Sequence, residues 1–180
     1  NNKPKFICFT NYSWTMDLSH EFAKKIKKKF PDVITIFGGP NYPIEIIEQK
    51  KFLLSYPAVD FYIKGEGEIG CSNLYEKLKE FNFNVKALKK TKILLGNCHY
   101  IEDNELYIGE NLPRVINLDE TPSPYLNGML DKFFDKHLIP SIQTSRGCPF
   151  KCSFCQEGKD YFTKICKYSL DRVTAEIDYI

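Results

Sequence analysis

Three cysteines crowd into one short stretch of the chain, and they are the residues best suited to carry chemistry. Cys148, Cys152 and Cys155 fall within eight positions, in a chain that contains seven cysteines. Thiolates at this spacing can point at one centre from a single loop, which is an arrangement suited to a metal or an iron–sulfur cluster. A disulfide framework would not concentrate three thiols so tightly without a secretory signal, so we expect a cytoplasmic protein.

The possible kinds of site differ in the number of protein ligands that they require. A structural zinc site takes four ligands, and an electron-transfer iron–sulfur cluster takes four thiolates. Three thiolates on a [4Fe–4S] cube leave one iron open, as a catalytic centre requires. His137 or Cys166 could supply a fourth ligand, but neither has the usual paired spacing. A zinc-binding interaction module and an iron–sulfur electron carrier therefore stand as alternatives to a catalytic cluster.

The run from Ser145 to Cys155 resembles the cluster loop of the radical S-adenosylmethionine (SAM) superfamily. It has the Cys-x₃-Cys-x₂-Cys spacing, an Arg-Gly lead-in, and an aromatic residue, Phe154, before the last cysteine. The resemblance implies that Cys148, Cys152 and Cys155 bind a [4Fe–4S] cluster, whose fourth iron is chelated by the amino and carboxylate groups of SAM. It also implies that Phe154 lies beside the adenine, and that an electron donor such as flavodoxin or ferredoxin reduces the cluster.

Upstream of the cysteines, strand and helix patterns alternate. Short apolar runs at 6–10, 33–37 and 59–64 predict buried parallel strands. Helical patterns follow each strand, at 17–30, at 43–54 and in a segment that contains Leu74, Leu78 and Phe81. This order predicts an α/β fold with a doubly wound, Rossmann-like parallel sheet that is incomplete in this chain. Ligands of such sheets bind at the carboxyl ends of the strands.

The apolar spacing also predicts which helix faces are buried. The expected inner face of the first helix is formed by Leu18, Phe22, Ile26 and Phe30. His20 then falls on the polar side and is expected to be solvated. Ser169 is the predicted N-cap of a last helix. The expected inner face of that helix is formed by Leu170, Val173 and Ile177.

Small residues follow all three predicted strands, where a ligand would bind. They are Thr10, Gly38, Gly39, Pro40, Gly65, Glu66 and Gly67. This layout resembles the radical SAM subgroup with an N-terminal cobalamin-binding domain, which implies that these residues contact cobalamin. Thr10-Asn11-Tyr12 occupies the place of the Ser-x-Leu of that fold and keeps the hydroxyl but not the leucine. The Asp-x-His-x-x-Gly motif of the fold has no match here and would lie before residue 1.

The glycine clusters also have a plainer interpretation, as tight turns of an ordinary α/β sheet. Glu66 and Glu68 lie on the same loop, but without a partner base they do not form a general acid/base pair. No side chain of the chain is assigned a catalytic role.

The predicted organisation has three parts. Residues 1–92 form the cobalamin-binding-type domain, and 93–137 contain a β-hairpin and a proline-containing linker. Residues 138–180 begin the radical SAM core, with the first strand of a partial (β/α) barrel at 138–144 and its first helix at the end. Both ends read as cuts through a longer protein, so we expect this chain alone to be inactive.

The remaining composition excludes other classes of function. A formal net charge of +2 gives no strong field for nucleic acid or an anionic membrane. No apolar run reaches the roughly 18 residues of a membrane helix. The resemblance implies an enzyme that abstracts hydrogen from an unactivated carbon, with methyl transfer from cobalamin as one outcome. Its substrate, a small molecule or a peptide, cannot be read from this sequence.

Overall fold

The computed structural model describes residues 4–135, 137–155, 158 and 160–180. It divides into two compact units, the first ending at Pro113 and the second beginning at Arg114. Among the described residues, no helix combines the length and the apolar character that crossing a membrane requires.

The first unit is built on a sheet of five strands in the order β1-β2-β3-β4-β5. Its strands are β1 (Phe6–Thr10), β2 (Ile34–Gly38), β3 (Phe61–Ile63), β4 (Cys98–Glu102) and β5 (Glu105–Ile108). Strands β1, β2 and β3 are parallel, and the hairpin β4–β5 adds two antiparallel pairings. The hairpin turns at Asp103 and Asn104, whose φ angles are +49° and +62°. Asp and Asn tolerate this left-handed backbone, which a tight hairpin needs.

Four helices cover both faces of this sheet, which confirms the doubly wound α/β prediction. They are α1 (Met16–Lys29), α2 (Ile46–Ser55), α3 (Gly67–Glu80) and α4 (Val85–Lys90). Side chains of α3 and α4 share one apolar core with Ile36 and Ile63, whereas α1 and α2 share the other with Phe37 and Tyr62. The neighbours Ile36 and Phe37 thus point to opposite faces, as strand geometry requires. By its pairing with β3, the hairpin that we expected in the 93–137 segment is part of this sheet.

The predicted inner face of α1 is wrong. Met16, His20 and Ala23 are the buried residues of this helix, whereas Leu18 and Phe22 are 64% and 53% exposed. The His20 ring meets Tyr56 edge-on at 4.7 Å, so the expectation of a solvated histidine is wrong as well. Because both stripes recur every three to four residues, spacing alone could not choose between them. Specific contacts of the buried stripe, such as the His20 ring against Tyr56, set the rotation of the helix.

The second unit contains one helix, one two-stranded sheet and several short turns among its described residues. Its elements are β6 (Ser145–Arg146), β7 (Cys166–Lys167), α5 (Leu170–Tyr179) and 3₁₀ turns at Leu118–Glu120, Asp131–Phe133 and Asp160–Phe162. Strands β6 and β7 are antiparallel. The strand predicted at 138–144 is not formed among the described residues: the β6–β7 ladder begins at Ser145, and only one backbone hydrogen bond, from the Tyr168 amide to the Thr144 carbonyl at 3.1 Å, extends it toward this segment.

Helix α5 begins where the sequence predicts but buries a different face. Ser169 Oγ accepts a hydrogen bond from the Arg172 amide at 3.1 Å, which confirms the N-cap. Leu170 and Ile177 are 79% and 58% exposed, so the predicted inner face is wrong. The buried residue of the helix is Glu176, whose Oε1 accepts a hydrogen bond from Arg172 Nε at 2.7 Å. An ion pair can be buried in this way because each charge satisfies the other.

The buried His99 of β4 gives the first unit a testable pH dependence. Burial lowers the pKa of His99 from its ordinary value near 6.5 to about 4, with a smaller contribution from the charge of Lys64. The unfolded chain therefore binds a proton in the window between these values that the folded chain does not bind, so stability falls as pH falls through it. We expect His99→Gln to remove about 2 kcal/mol of the stability difference between pH 7 and pH 4.5.

Urea unfolding followed by circular dichroism at the two pH values measures this effect. The exposed His137 supplies the matched control, because His137→Gln makes the same substitution outside the buried core of the first unit. Equal pH dependence of His99→Gln and the wild-type protein would contradict the assignment.

Candidate functional site

The cysteine loop, Cys148–Cys155, leaves β6 through a glycine that the fold requires. Gly147 has a φ of +106°, and a Cβ at this position would lie 2.4 Å from the Lys164 carbonyl oxygen and 2.8 Å from that of Phe162. These oxygens belong to the return segment, residues 161–167, which comes back alongside the start of the loop. Any side chain at 147 would therefore separate the two stretches of backbone.

Backbone hydrogen bonds close the base of the cysteine loop. The Cys148 amide donates to the Phe162 carbonyl at 2.9 Å, and Arg146 is paired with Cys166 across the β6–β7 ladder. Inside the loop, the Cys155 amide donates to the Cys152 carbonyl at 3.1 Å. The first cysteine is thus tied to the return segment, and the other two share one tight turn.

The groups at the tip of the loop are exposed. Cys148 is half-buried, Cys152 and Cys155 are exposed, and none of the three forms a disulfide. Phe150 and Phe154 are 70% and 91% exposed, respectively. Three unpaired thiols on a loop closed at its base match the soft donor set that iron–sulfur clusters take from proteins.

The described residues contain no set of three or more His, Cys, Asp or Glu side chains placed to hold a metal ion. The structure therefore puts Cys148, Cys152 and Cys155 on one loop without converging their sulfurs, and their ligand role stays a prediction. Of the suggested fourth ligands, Cys166 is buried in β7 and His137 is exposed. Neither forms a metal-binding group with the three cysteines. The role of Phe154 beside the adenine is likewise a prediction.

In the first unit, the fold brings the predicted cofactor residues to one edge of the sheet. Thr10 is paired with Gly38 at the ends of β1 and β2, and Gly38 is paired with Ile63 at the end of β3. Thr10 and the segments that begin at Gly38 and Gly65 therefore leave neighbouring strands at the same, carboxyl, end. This is the end at which doubly wound sheets bind ligands.

Gly39 is required by the fold itself. Its φ is +137°, and a Cβ there would lie 2.5 Å from the Asn11 carbonyl oxygen. The space beside Gly39 is filled by the backbone of the loop after β1. Gly67 is different, because the nearest atom to a Cβ at this position is Cys71 Sγ at 3.9 Å. Only the second of these two glycines leaves room for a ligand.

Asn11 is the central polar residue of this edge. Its fully buried side-chain amide donates to the Asn41 carbonyl at 2.6 Å and to the Tyr62 hydroxyl at 2.9 Å. The Tyr62 hydroxyl in turn donates to the Gly39 carbonyl at 2.8 Å. In the sequence, Asn11 stands out only as the middle residue of Thr10-Asn11-Tyr12, which departs from Ser-x-Leu. Its position between Thr10 and Tyr12, directly after the predicted first strand, is the signal that could have identified it.

A cluster of aromatic side chains packs against this hydrogen-bond network. Tyr42 stacks on Tyr62 with ring centroids 3.9 Å apart, and its hydroxyl is 3.1 Å from His99 Nδ1. Burial raises the pKa of both tyrosines well above the ordinary value, so their hydroxyls stay protonated. The cluster thus supplies neutral hydrogen-bonding groups beneath the loop that follows β2.

Apolar side chains are exposed in the segments that leave the same strand ends. They are Tyr12, Trp14, Ile44, Ile46, Ile47 and Ile69, with exposures between 39% and 78%. Tyr12 and Trp14 stack on each other at 4.9 Å. Exposed apolar groups of this kind are a feature that binding surfaces share, so this edge is a candidate ligand site. Periodicity could not find them, because they lie at the starts of helices or outside them.

The chain is similar in sequence to several known enzymes. No protein-family model matches the chain. The cobalamin-dependent radical SAM methyltransferase TokK of Streptomyces tokunonensis is 27% identical over 183 residues, which cover 98% of this chain and 25% of that protein. The hopanoid C-3 methylase of Methylococcus capsulatus is 28% identical over 184 residues, covering 97% of this chain and 32% of that protein.

A third relative has a different reaction in its name. The anaerobic magnesium-protoporphyrin IX monomethyl ester cyclase of Cereibacter sphaeroides is 22% identical over 179 residues, or 95% of this chain and 28% of that protein. The chain thus spans between a quarter and a third of the length of these relatives. Over nearly its whole length the chain is therefore similar to enzymes named as a cobalamin-dependent radical SAM methyltransferase, a methylase and a cyclase, which supports the resemblance to the radical SAM subgroup with a cobalamin-binding domain.

Proposed function

We propose that the whole protein is a cobalamin-dependent radical SAM methyltransferase, with Cys148, Cys152 and Cys155 as the ligands of its [4Fe–4S] cluster. The observation that carries this proposal is the cysteine loop, in which three free thiols extend from a base closed by the Cys148–Phe162 hydrogen bond. When bound, the cluster supplies the electron that cleaves SAM, and methylcobalamin supplies the methyl group for an unactivated carbon.

The chain's own residues do the positioning. The return segment fixes where Cys148 begins the loop, and a backbone turn joins Cys152 and Cys155 through the hydrogen bond from the Cys155 amide to the Cys152 carbonyl. Because Cys152 and Cys155 are exposed, an electron donor such as flavodoxin or ferredoxin could approach this side of the loop. Phe154, 91% exposed beside the last cysteine, would cover the adenine of SAM.

Cobalamin would bind along the carboxyl edge of the first unit. Gly67 and the exposed apolar side chains leave open surface there, whereas Asn11 and Tyr62 hold the loop after β2 in place. Thr10, Gly38, Gly65 and Glu66 line the same edge by their strand-end positions. Gly39 contributes by letting two loops pack together, and Pro40 follows it on the same loop.

The first test is cluster binding. Anaerobic reconstitution of the full-length protein should give about four irons per chain. Replacing Cys148, Cys152 or Cys155 by alanine should abolish most iron uptake, because a cube cannot be held by two thiolates. Iron content and the absorbance of the cluster at about 400 nm measure the result.

Cys8→Ala, which removes an exposed thiol of the first unit, is the matched control and should retain all iron. Stoichiometric zinc without iron after anaerobic purification would refute the proposal and favour the zinc-binding alternative. Cys166→Ala tests the electron-carrier alternative, which requires a fourth protein ligand, because loss of the cluster in this variant would identify Cys166 as that ligand.

Gly67 provides the test of cobalamin binding. Leucine at this position should fold normally, because its Cβ meets only Cys71 Sγ at 3.9 Å. Its side chain would occupy the open surface at the start of α3, and we expect the affinity of the full-length protein for hydroxocobalamin to fall about tenfold or more. A visible-spectrum titration measures the affinity.

Ser72→Leu adds the same side chain at an exposed position further along α3 and should bind like the wild-type protein. Identical affinities of Gly67→Leu and Ser72→Leu would exclude this part of the edge from the site. Gly39→Val is not a useful probe, because it would displace the Asn11 backbone whether or not cobalamin binds.

A further inference from the structure

Arg114, the first residue of the second unit, is bonded to the return segment. Its Nη1 donates to the Lys164 carbonyl at 2.6 Å and to the Tyr161 carbonyl at 3.2 Å. Its guanidinium also lies over the Phe162 ring, 5.7 Å from the centroid. Arginine stays charged at any physiological pH, and hydrogen bonds from a charged donor are stronger than neutral ones.

The residues held by Arg114 are the ones that hold the first cysteine. The Phe162 carbonyl accepts the Cys148 amide at 2.9 Å, and the carbonyls of Phe162 and Lys164 lie against Gly147. Contacts therefore run without a gap from the guanidinium, through residues 161–164, to the backbone of Cys148. Moving this segment would move the point at which the cysteine loop begins.

A second contact fixes the same stretch further along. The Asp119 carboxylate accepts the Ser169 amide with its two oxygens at 3.1 and 3.3 Å, directly before α5. Arg172 of α5 donates back to the Thr121 carbonyl at 3.1 Å. Leu118 between these contacts is fully buried. Residues 114–121 therefore lie bonded along the stretch that follows the cysteine loop, although the sequence predicts a linker here.

We propose that residues 114–121 form a strap that positions the cysteine loop, with Arg114 as a positioning residue for Cys148. This inference depends on the proposed function, in which Cys148 is a cluster ligand. The strap restrains the return segment directly at Arg114, and it holds Ser169, two residues beyond that segment, at Asp119. The return segment in turn restrains the amide of Cys148. The fold therefore orders the backbone of Cys148, the first ligand, before the cluster binds. Cluster binding then does not have to overcome the entropy of ordering it.

The geometry requires arginine in particular. One guanidinium nitrogen reaches two carbonyl oxygens while the planar group lies over the Phe162 ring. A lysine ammonium is a compact charge on a flexible stem and has no planar group to lie over the Phe162 ring. Lysine should therefore restore the positive charge at 114 without restoring the position of the return segment.

Hydrogen exchange of the metal-free full-length protein tests the strap without any cluster. In Arg114→Gln, exchange in peptides that contain Cys148 and residues 161–167 should be about tenfold faster, because a charged hydrogen-bonding group is lost. Peptides of the first unit should exchange as in the wild-type protein. Lys132→Gln removes an exposed positive charge elsewhere in the second unit and should leave all peptides unchanged.

Cluster loading then tests the link to Cys148. After anaerobic reconstitution, we expect Arg114→Gln to hold less than about half of the wild-type iron, and the electron paramagnetic resonance signal of its reduced cluster to differ in shape. Arg114→Lys should recover only part of the iron. Asp119→Ala, at the other end of the strap, should change both measurements in the same direction and carries the test if Arg114→Gln does not fold.

The outcomes separate the strap from the proposed function. Exchange and iron content of Arg114→Gln equal to those of Lys132→Gln would overturn the strap, and complete recovery in Arg114→Lys would overturn the role of the guanidinium. If the wild-type protein takes up no iron while exchange changes as expected, the strap stands as a structural feature and the cluster assignment fails.

Discussion

The buried amide of Asn11 is the interaction on which the carboxyl edge of the sheet depends. Its side chain joins Asn41 and Tyr62, its backbone amide donates to the Gly38 carbonyl at 2.7 Å, and its carbonyl accepts the Asn41 amide at 3.1 Å. A buried amide left without partners costs about 1–3 kcal/mol, so these bonds must form together or not at all. The loops after β1 and β2 therefore behave as one piece, and the glycine at 39 is a consequence of their contact.

The architecture of the first unit could be predicted from sequence because it rests on local patterns. Apolar runs, alternating strands and helices, and the turn residues Asp103 and Asn104 are all visible along the chain. The rotation of α1 could not be predicted, because Met16, His20 and Ala23 share the spacing of the competing stripe. That choice was made by tertiary contacts such as the His20–Tyr56 ring pair. The strand expected at 138–144 failed for a similar reason, since a strand exists only by pairing with another.

In the candidate sites, too, some features are visible in the sequence and others only in the structure. The spacing of the three cysteines and the glycines at strand ends are sequence features, and both candidate sites are predicted from them. The residues that shape the sites are partners distant in sequence: Arg114 lies 47 and 50 residues from its acceptors, and Asn11 lies 51 residues from Tyr62. No periodicity connects such residues. Gly39 and Gly67 look alike in sequence, and only the atoms around them distinguish a packing glycine from an open one.

Both candidate sites combine a fixed base with exposed apolar groups at the tip. The base of the cysteine loop is bonded to the return segment, while Phe150 and Phe154 remain 70% and 91% exposed. At the sheet edge, the Asn11 network is buried while Trp14 is 78% exposed. Exposed aromatic groups weaken a fold that has nothing to cover them, whereas a ligand that covers them gains their burial. Because the bases are already ordered, a large cofactor would not have to pay for organising them, and its binding would add stability to the chain that receives it.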